Sequence, residues 1–166
     1  MAKNPFFWGK AGSGILFWSN DDMVLLTLRS PYVMEPNKWG VPGGAISGTE
    51  GHHRSEGRPK FKFTYQQAWK SAVRETQEEL GYFPAQYRVL GYTEFQEGGF
   101  VFITFIVQVG QDEKRYITEN VQLDPHEATK IAWVPMRKLL NYRNDQFLDS
   151  SLHFGVKFIM DELAKG

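Results

Sequence analysis

The chain contains no cysteine. That excludes disulfides, thiolate metal ligands and a cysteine nucleophile, and it suits a reducing compartment, so the expected location is cytoplasmic. An excess of charge is also missing: 19 basic residues balance 19 acidic ones. A general affinity for nucleic acid or an anionic membrane is therefore not expected, and any such affinity has to come from a local patch. Long hydrophobic runs are absent as well. No apolar stretch approaches the roughly 20 residues needed to span a bilayer, and the opening "MAKNPFFWGKAGSG" lacks the apolar segment of a secretory signal.

What remains is the composition of a packed globule. Hydrophobic residues make up 42% of the chain, with 13 Phe, 7 Tyr and 5 Trp. At 166 residues the simplest organisation is one domain over 1–166, burying roughly 70% of its unfolded surface. No internal repeat or linker interrupts it.

"GILFW" (14–18) and "MVLLTL" (23–28) predict two strands joined by the polar turn "SNDD". A stretch rich in glycine and proline follows, up to position 52, and reads as loop. Thr64 with Gln67 three residues on satisfies the capping-box rule. Trp69, Val73, Thr76 and Leu80 then recur on one helical face, and Gly81 provides a stop, predicting a helix over about 65–80. Residues 86–93 and 100–109 read as strands, the second apolar at nearly every position, as for burial on both faces. The polar stretch 110–130 has no predicted element. "IAWVP" predicts a short strand and "MRKLLNY" a helical turn or two. Leu152, Val156, Ile159 and Leu163 mark a C-terminal helix. The class is α/β, a mixed sheet with helices on both sides.

Within "SAVRETQEELGY" (71–82), Glu75, Glu78 and Glu79 crowd one helix. At about 100° per residue they fall within an arc of about 100°, pointing largely away from the apolar stripe. Carboxylates at that density suit a hard divalent cation such as Mg²⁺ or Mn²⁺. A solvated acidic face is the plainer alternative. In the preceding loop, "GVPGGAISGTE", Gly43 and Gly44 permit close approach of the backbone to a ligand.

Loop and helix together resemble the Nudix hydrolase family, of the MutT-like kind. Its motif reads Gly, five residues, Glu, seven residues, then Arg-Glu-U-X-Glu-Glu-X-Gly-U with U apolar. Gly44, Glu50, Arg74, Glu75, Glu78, Glu79, Gly81 and Tyr82 occupy the fixed positions. Two features depart from it. Residues 51–73 separate Glu50 from Arg74, 16 more than the motif's seven, in a loop where added length costs little. This puts Glu50 in doubt, with Glu56 as a competitor. Thr76 stands where the family has an aliphatic residue; a buried threonine there is expected to bond a carbonyl one turn back.

The resemblance implies an α/β/α sandwich around a mixed sheet, with an inserted loop at about 51–63. It further implies hydrolysis of a diphosphate linkage in a nucleoside diphosphate joined to another group. Glu75, Glu78, Glu79 and the Gly43 carbonyl are the implied ligands of Mg²⁺, or of Mn²⁺. Arg74, four residues from Glu78, is expected to orient carboxylates. Glu127 is the candidate general base, with Glu119, Glu94, Glu97 and a motif glutamate as rivals. Arg29, at the end of the second strand, is a candidate phosphate contact.

Marks of the ADP-ribose, dinucleoside polyphosphate, RNA 5′-end and coenzyme A subgroups are missing. Elimination leaves a nucleoside triphosphate pyrophosphohydrolase releasing a monophosphate and pyrophosphate. An RNA 5′-end or dinucleoside polyphosphate hydrolase and a nucleotide-sensing module without turnover are the alternatives. The insertion "GHHRSEGRPKFKF" interleaves Arg54, Arg58, Lys60 and Lys62 with His and Phe. Such a segment can grip phosphates and stack bases, with Arg58 and Lys60 binding substrate and RNA as a candidate partner; a solvated loop has the same composition. Phe6, Phe7 and Trp8 either stack on a base or pack on the sheet.

Overall fold

The computed structural model describes residues 11–33, 36–46, 63–97, 99–139 and 152–165. Strands β1 (Ala11–Ser19) and β2 (Met23–Arg29) form the expected hairpin, with Trp18 opposite Val24. Asp22 closes the turn at a φ of 60°, a left-handed conformation that aspartate tolerates, and its N–H donates to the Ser19 carbonyl at 3.0 Å. Beyond the turn the two strands diverge. β1 takes up β4 (Gly43–Ala45), and β2 takes up β3 (Trp39–Gly40). These short strands lie inside what the sequence presented as loop; two or three residues are too few to show a period.

The centre of the sheet is buried and largely apolar, with Ser13, Ser19 and Thr104 as buried polar residues. β1 runs parallel to β6 (Phe100–Val109), from Ala11 opposite Val101 to Ser19 opposite Val109. β6 in turn pairs antiparallel with the edge strand β5 (Arg88–Glu97). β7 (Ala128–Pro135), longer than "IAWVP" suggested, runs antiparallel along the other side of β2. Parallel and antiparallel pairs therefore share one sheet, ordered β3-β2-β1-β6-β5, as the mixed α/β class requires.

Alternating residues of β1 feed two cores. Ile15 and Phe17 join Leu25, Phe105 and Val107 under α1 (Tyr65–Leu80) and α2 (Gln111–Asn120). Leu16 and Trp18 join Val24, Leu26 and Ile106 under α3 (Met136–Leu139) and α4 (Leu152–Lys165). The result is three layers, with helices on both faces.

α2 lies in the polar stretch 110–130, where the sequence predicted no element. Its buried residues are Glu113 and Ile117, so no apolar period announced it. Glu113 is a carboxylate put to structural use: it accepts from the Tyr82 hydroxyl and from the N–H groups of Ala85 and Gln86 at 3.0–3.3 Å. It thereby fastens the chain leaving α1.

α1 has the expected bounds and both halves of its capping box, and it ends on Gly81 at a φ of 77°. Its buried face is rotated from the one expected. Ala68, Ser71, Ala72, Thr76, Glu79 and Leu80 are buried, while Trp69 and Val73 flank them. The small residues let the helix approach β1, where the Ser13 hydroxyl donates to the Ala68 carbonyl at 2.8 Å.

Thr76 is fully buried, and its hydroxyl has no hydrogen-bond partner, contrary to the expected bond to a carbonyl one turn back. An unpaired buried hydroxyl costs about 1–3 kcal/mol. Thr76→Val keeps the shape and removes that cost. Urea denaturation should show the variant more stable by about 1 kcal/mol, and a loss of stability would mean the hydroxyl is bonded after all.

Candidate active site

β4 and the second half of α1 meet face to face, and the fit depends on glycine. β4 uses one edge to pair with β1, placing Gly43 opposite Gly14. Its Gly43 N–H points the other way and donates to Oε2 of Glu79 at 3.2 Å. A Cβ on Gly44 would lie 2.5 Å from the Glu75 carboxylate, so only glycine lets that carboxylate rest on the strand.

Arg74 bridges its neighbours. Nη2 donates to Oε1 of Glu75 at 3.0 Å and to the Ala45 carbonyl at 3.4 Å, while Nε stands 3.6 Å from Oε1 of Glu78. The orienting role expected of Arg74 has a geometric counterpart here: it gathers two carboxylates and ties the helix to β4.

Glu79 differs from the sequence expectation, which pointed it away from the core. It is only 7% exposed. Burial raises its pKa from 4.5 to about 7, opposed by the Gly43 N–H and by Arg29 and reinforced by the charges of Glu127 and Glu75. Arg29 and Glu127, distant in sequence, thus converge electrostatically on the Glu79 carboxyl.

That convergence is built by the end of β2. A register shift between Leu28 and Arg29 interrupts the pairing with β7 and leaves Arg29 opposite Ala128. Ser30, fully buried, then donates its N–H to the Glu127 carbonyl at 3.0 Å and its hydroxyl to the His126 carbonyl at 2.6 Å. Ser30 was not singled out from sequence. A lone serine after a strand has no local mark, and its partners lie 96 and 97 residues away.

Among the rival bases, Glu94 accepts from the Tyr65 hydroxyl at 2.9 Å on β5, and Glu119 lies exposed on α2. Arg58, Lys60, Glu50, Glu56 and the aromatic run 6–8 lie outside the described residues, as does the side chain of Glu97.

As placed, no three His, Asp or Glu side chains among the described residues enclose a common point, because Glu75 and Glu78 turn to Arg74. The donor chemistry nevertheless fits a hard divalent cation. The available atoms are all oxygen, and a carboxylate whose pKa is raised by burial, and further by the charges of Glu127 and Glu75, is relieved by positive charge.

A seven-stranded mixed sheet lies between helical layers, with a glycine-rich strand against an acidic helix. The NUDIX domain family model matches residues 10–153, and the chain belongs to the Nudix hydrolase family. A Bifidobacterium longum protein called a nucleoside triphosphate pyrophosphatase/Nudix hydrolase fusion protein is 30% identical over 145 residues, 80% of this chain. The chain spans about a quarter (26%) of that relative's length.

Solved structures share the fold. The MutT protein of Methanosarcina mazei Go1 superposes with a TM-score of 0.62 at 18% identity, covering 92% of this chain and 94% of that one. A C. elegans Ap4A hydrolase binary complex gives 0.61 at 16%, covering 95% and 99%. The NUDIX domain of Shewanella oneidensis NrtR, complexed with ADP ribose, gives 0.55 at 15%, covering 92% and 87%. Among the described residues, no helix is long and apolar enough to cross a membrane.

Proposed function

We propose that the chain is a Mg²⁺-dependent nucleoside triphosphate pyrophosphohydrolase, releasing a nucleoside monophosphate and pyrophosphate. The observation that carries this reading is the Glu79 carboxyl, buried beneath the Gly43 N–H and influenced by Arg29, Glu75 and Glu127 together. The nucleotide class is supported by the names of the relatives, which include a nucleoside triphosphate pyrophosphatase fusion and an Ap4A hydrolase.

Glu75, Glu78, Glu79 and the Gly43 carbonyl would hold Mg²⁺, with Mn²⁺ as a substitute. The cation supplies charge neutralisation of the diphosphate and a lowered pKa for attacking water. Arg74 orients Glu75 and Glu78. Arg29 contributes positive charge felt at Glu79 and would attract a phosphate oxygen. Glu127 accepts the proton of the attacking water as the bridging P–O bond breaks.

The test is a panel of nucleoside triphosphates, ADP-ribose, dinucleoside polyphosphates, nucleotide sugars and 5′-triphosphate RNA, with products identified, for wild type and Glu78→Gln. Wild type should release monophosphate and pyrophosphate from triphosphates, and the variant should be slower by roughly a hundredfold or more. Equal turnover by both proteins would remove the metal assignment. Preferred cleavage of RNA or dinucleotides would replace the substrate class, and binding without turnover would point to a sensing module.

A further inference from the structure

The reading above places phosphates near Arg29 and Glu79 but leaves the nucleobase without a seat. Tyr32 is 76% exposed, the most exposed large hydrophobic side chain among the described residues. An exposed tyrosine by itself is ordinary. This one stands against His126, with ring centroids 5.6 Å apart and planes inclined by 50°. The two rings come from different segments, the turn after β2 and the turn before β7.

Ser30 ties those turns together. Besides its bonds to His126 and Glu127, its hydroxyl oxygen accepts the Tyr32 N–H at 3.2 Å. The His126 N–H is fixed in turn by the Asp124 carboxylate at 3.0 Å. One buried serine therefore positions the backbone of both ring-bearing residues. Each ring also lies next to a residue that acts on Glu79. His126 precedes Glu127, and Tyr32 follows Arg29 by three residues, a reach of at most about 10 Å along the chain. That is comparable to the span of one nucleotide from phosphate to base.

We propose that Tyr32 and His126 form a stacking platform for the nucleobase, set by Ser30 at the side of the site defined by Arg29 and Glu127. This rests on the nucleotide reading above and names where the base is held. Stacking on an aromatic face is tolerant of base identity, so the platform selects for a base without selecting among bases.

The test compares AMP with ribose 5-phosphate, which carries the same phosphate and sugar but no base. Binding to the full chain with Mg²⁺ is measured by calorimetry for wild type, Tyr32→Ala and Tyr32→Phe. Wild type should prefer AMP by roughly tenfold, Tyr32→Ala should lose that preference, and Tyr32→Phe should retain it. No preference in wild type, or an undiminished preference in Tyr32→Ala, overturns the platform. The readout is independent of turnover. Triphosphate hydrolysis with an unchanged preference in Tyr32→Ala removes the platform alone. A preference abolished in Tyr32→Ala, in a protein that hydrolyses nothing, leaves the platform and removes the proposed reaction.

Discussion

Replacing Glu79 with glutamine is expected to stabilise the metal-free protein at pH 8 by about 2–3 kcal/mol while reducing turnover by roughly a hundredfold to ten-thousandfold. The two effects share one cause. Folding buries the Glu79 carboxyl and raises its pKa from 4.5 to about 7. A carboxyl raised by folding binds its proton more tightly in the native state. Its contribution is fully present below pH 4.5 and is lost as pH rises through 7. The rise corresponds to about 3 kcal/mol.

Glutamine has no proton to lose and can still accept from the Gly43 N–H. The variant should match wild type near pH 4, surpass it progressively up to about pH 7, and keep that lead at pH 8. Urea denaturation in chelator across this range measures the difference, and parallel pH profiles for the two proteins would show that Glu79 does not titrate in this range. Added Mg²⁺ should raise the wild-type melting temperature at pH 8 more than that of Glu79→Gln.

The second large effect separates two adjacent glycines. A Cβ on Gly43 would lie 2.4 Å from the Ser13 carbonyl oxygen and 2.7 Å from the Gly14 Cα, both backbone atoms of the central strand. Neither can yield without shifting the β1–β4 pairing. Gly43→Ala should therefore cost about 3 kcal/mol or more. On Gly44 the nearest atoms belong to the end of the Glu75 side chain, which can rotate aside. Gly44→Ala should cost less than about 1 kcal/mol and instead weaken metal-dependent activity, because Glu75 loses its resting place. Thermal melts paired with a Mg²⁺ titration of activity resolve the pair. Similar stability losses in the two variants would count against this division.

Much of the site was legible because it is local. The capping box at Thr64, the stop at Gly81 and the three glutamates all lie within one helix, where spacing maps directly onto geometry. Bonds between distant segments were not legible. Ser30 meets the turn at 126–127 through the pairing of β2 with β7, and nothing near Ser30 in the chain records that pairing. The burial of Glu79 was hidden for a related reason. Period counting weights large apolar residues, so it favoured Trp69 and Val73, whereas β1 presses against the small faces of Ala68, Ser71 and Ala72. α2 escaped notice because one of its two inward residues is a charged group.

The parallel pairing of β1 with β6 also sets a schedule for synthesis. Ala11 pairs with Val101, so the most buried strand of the protein leaves the ribosome 90 residues ahead of its long partner. At about 5–20 residues per second, that is roughly 5–18 s of waiting. Throughout that interval the edge of β1 that β6 will take stays open along "GILFW", because β2 and β4 pair only with its other edge. Nascent chains arrested shortly before β6 emerges should therefore bind chaperones, and those arrested after it should bind them less.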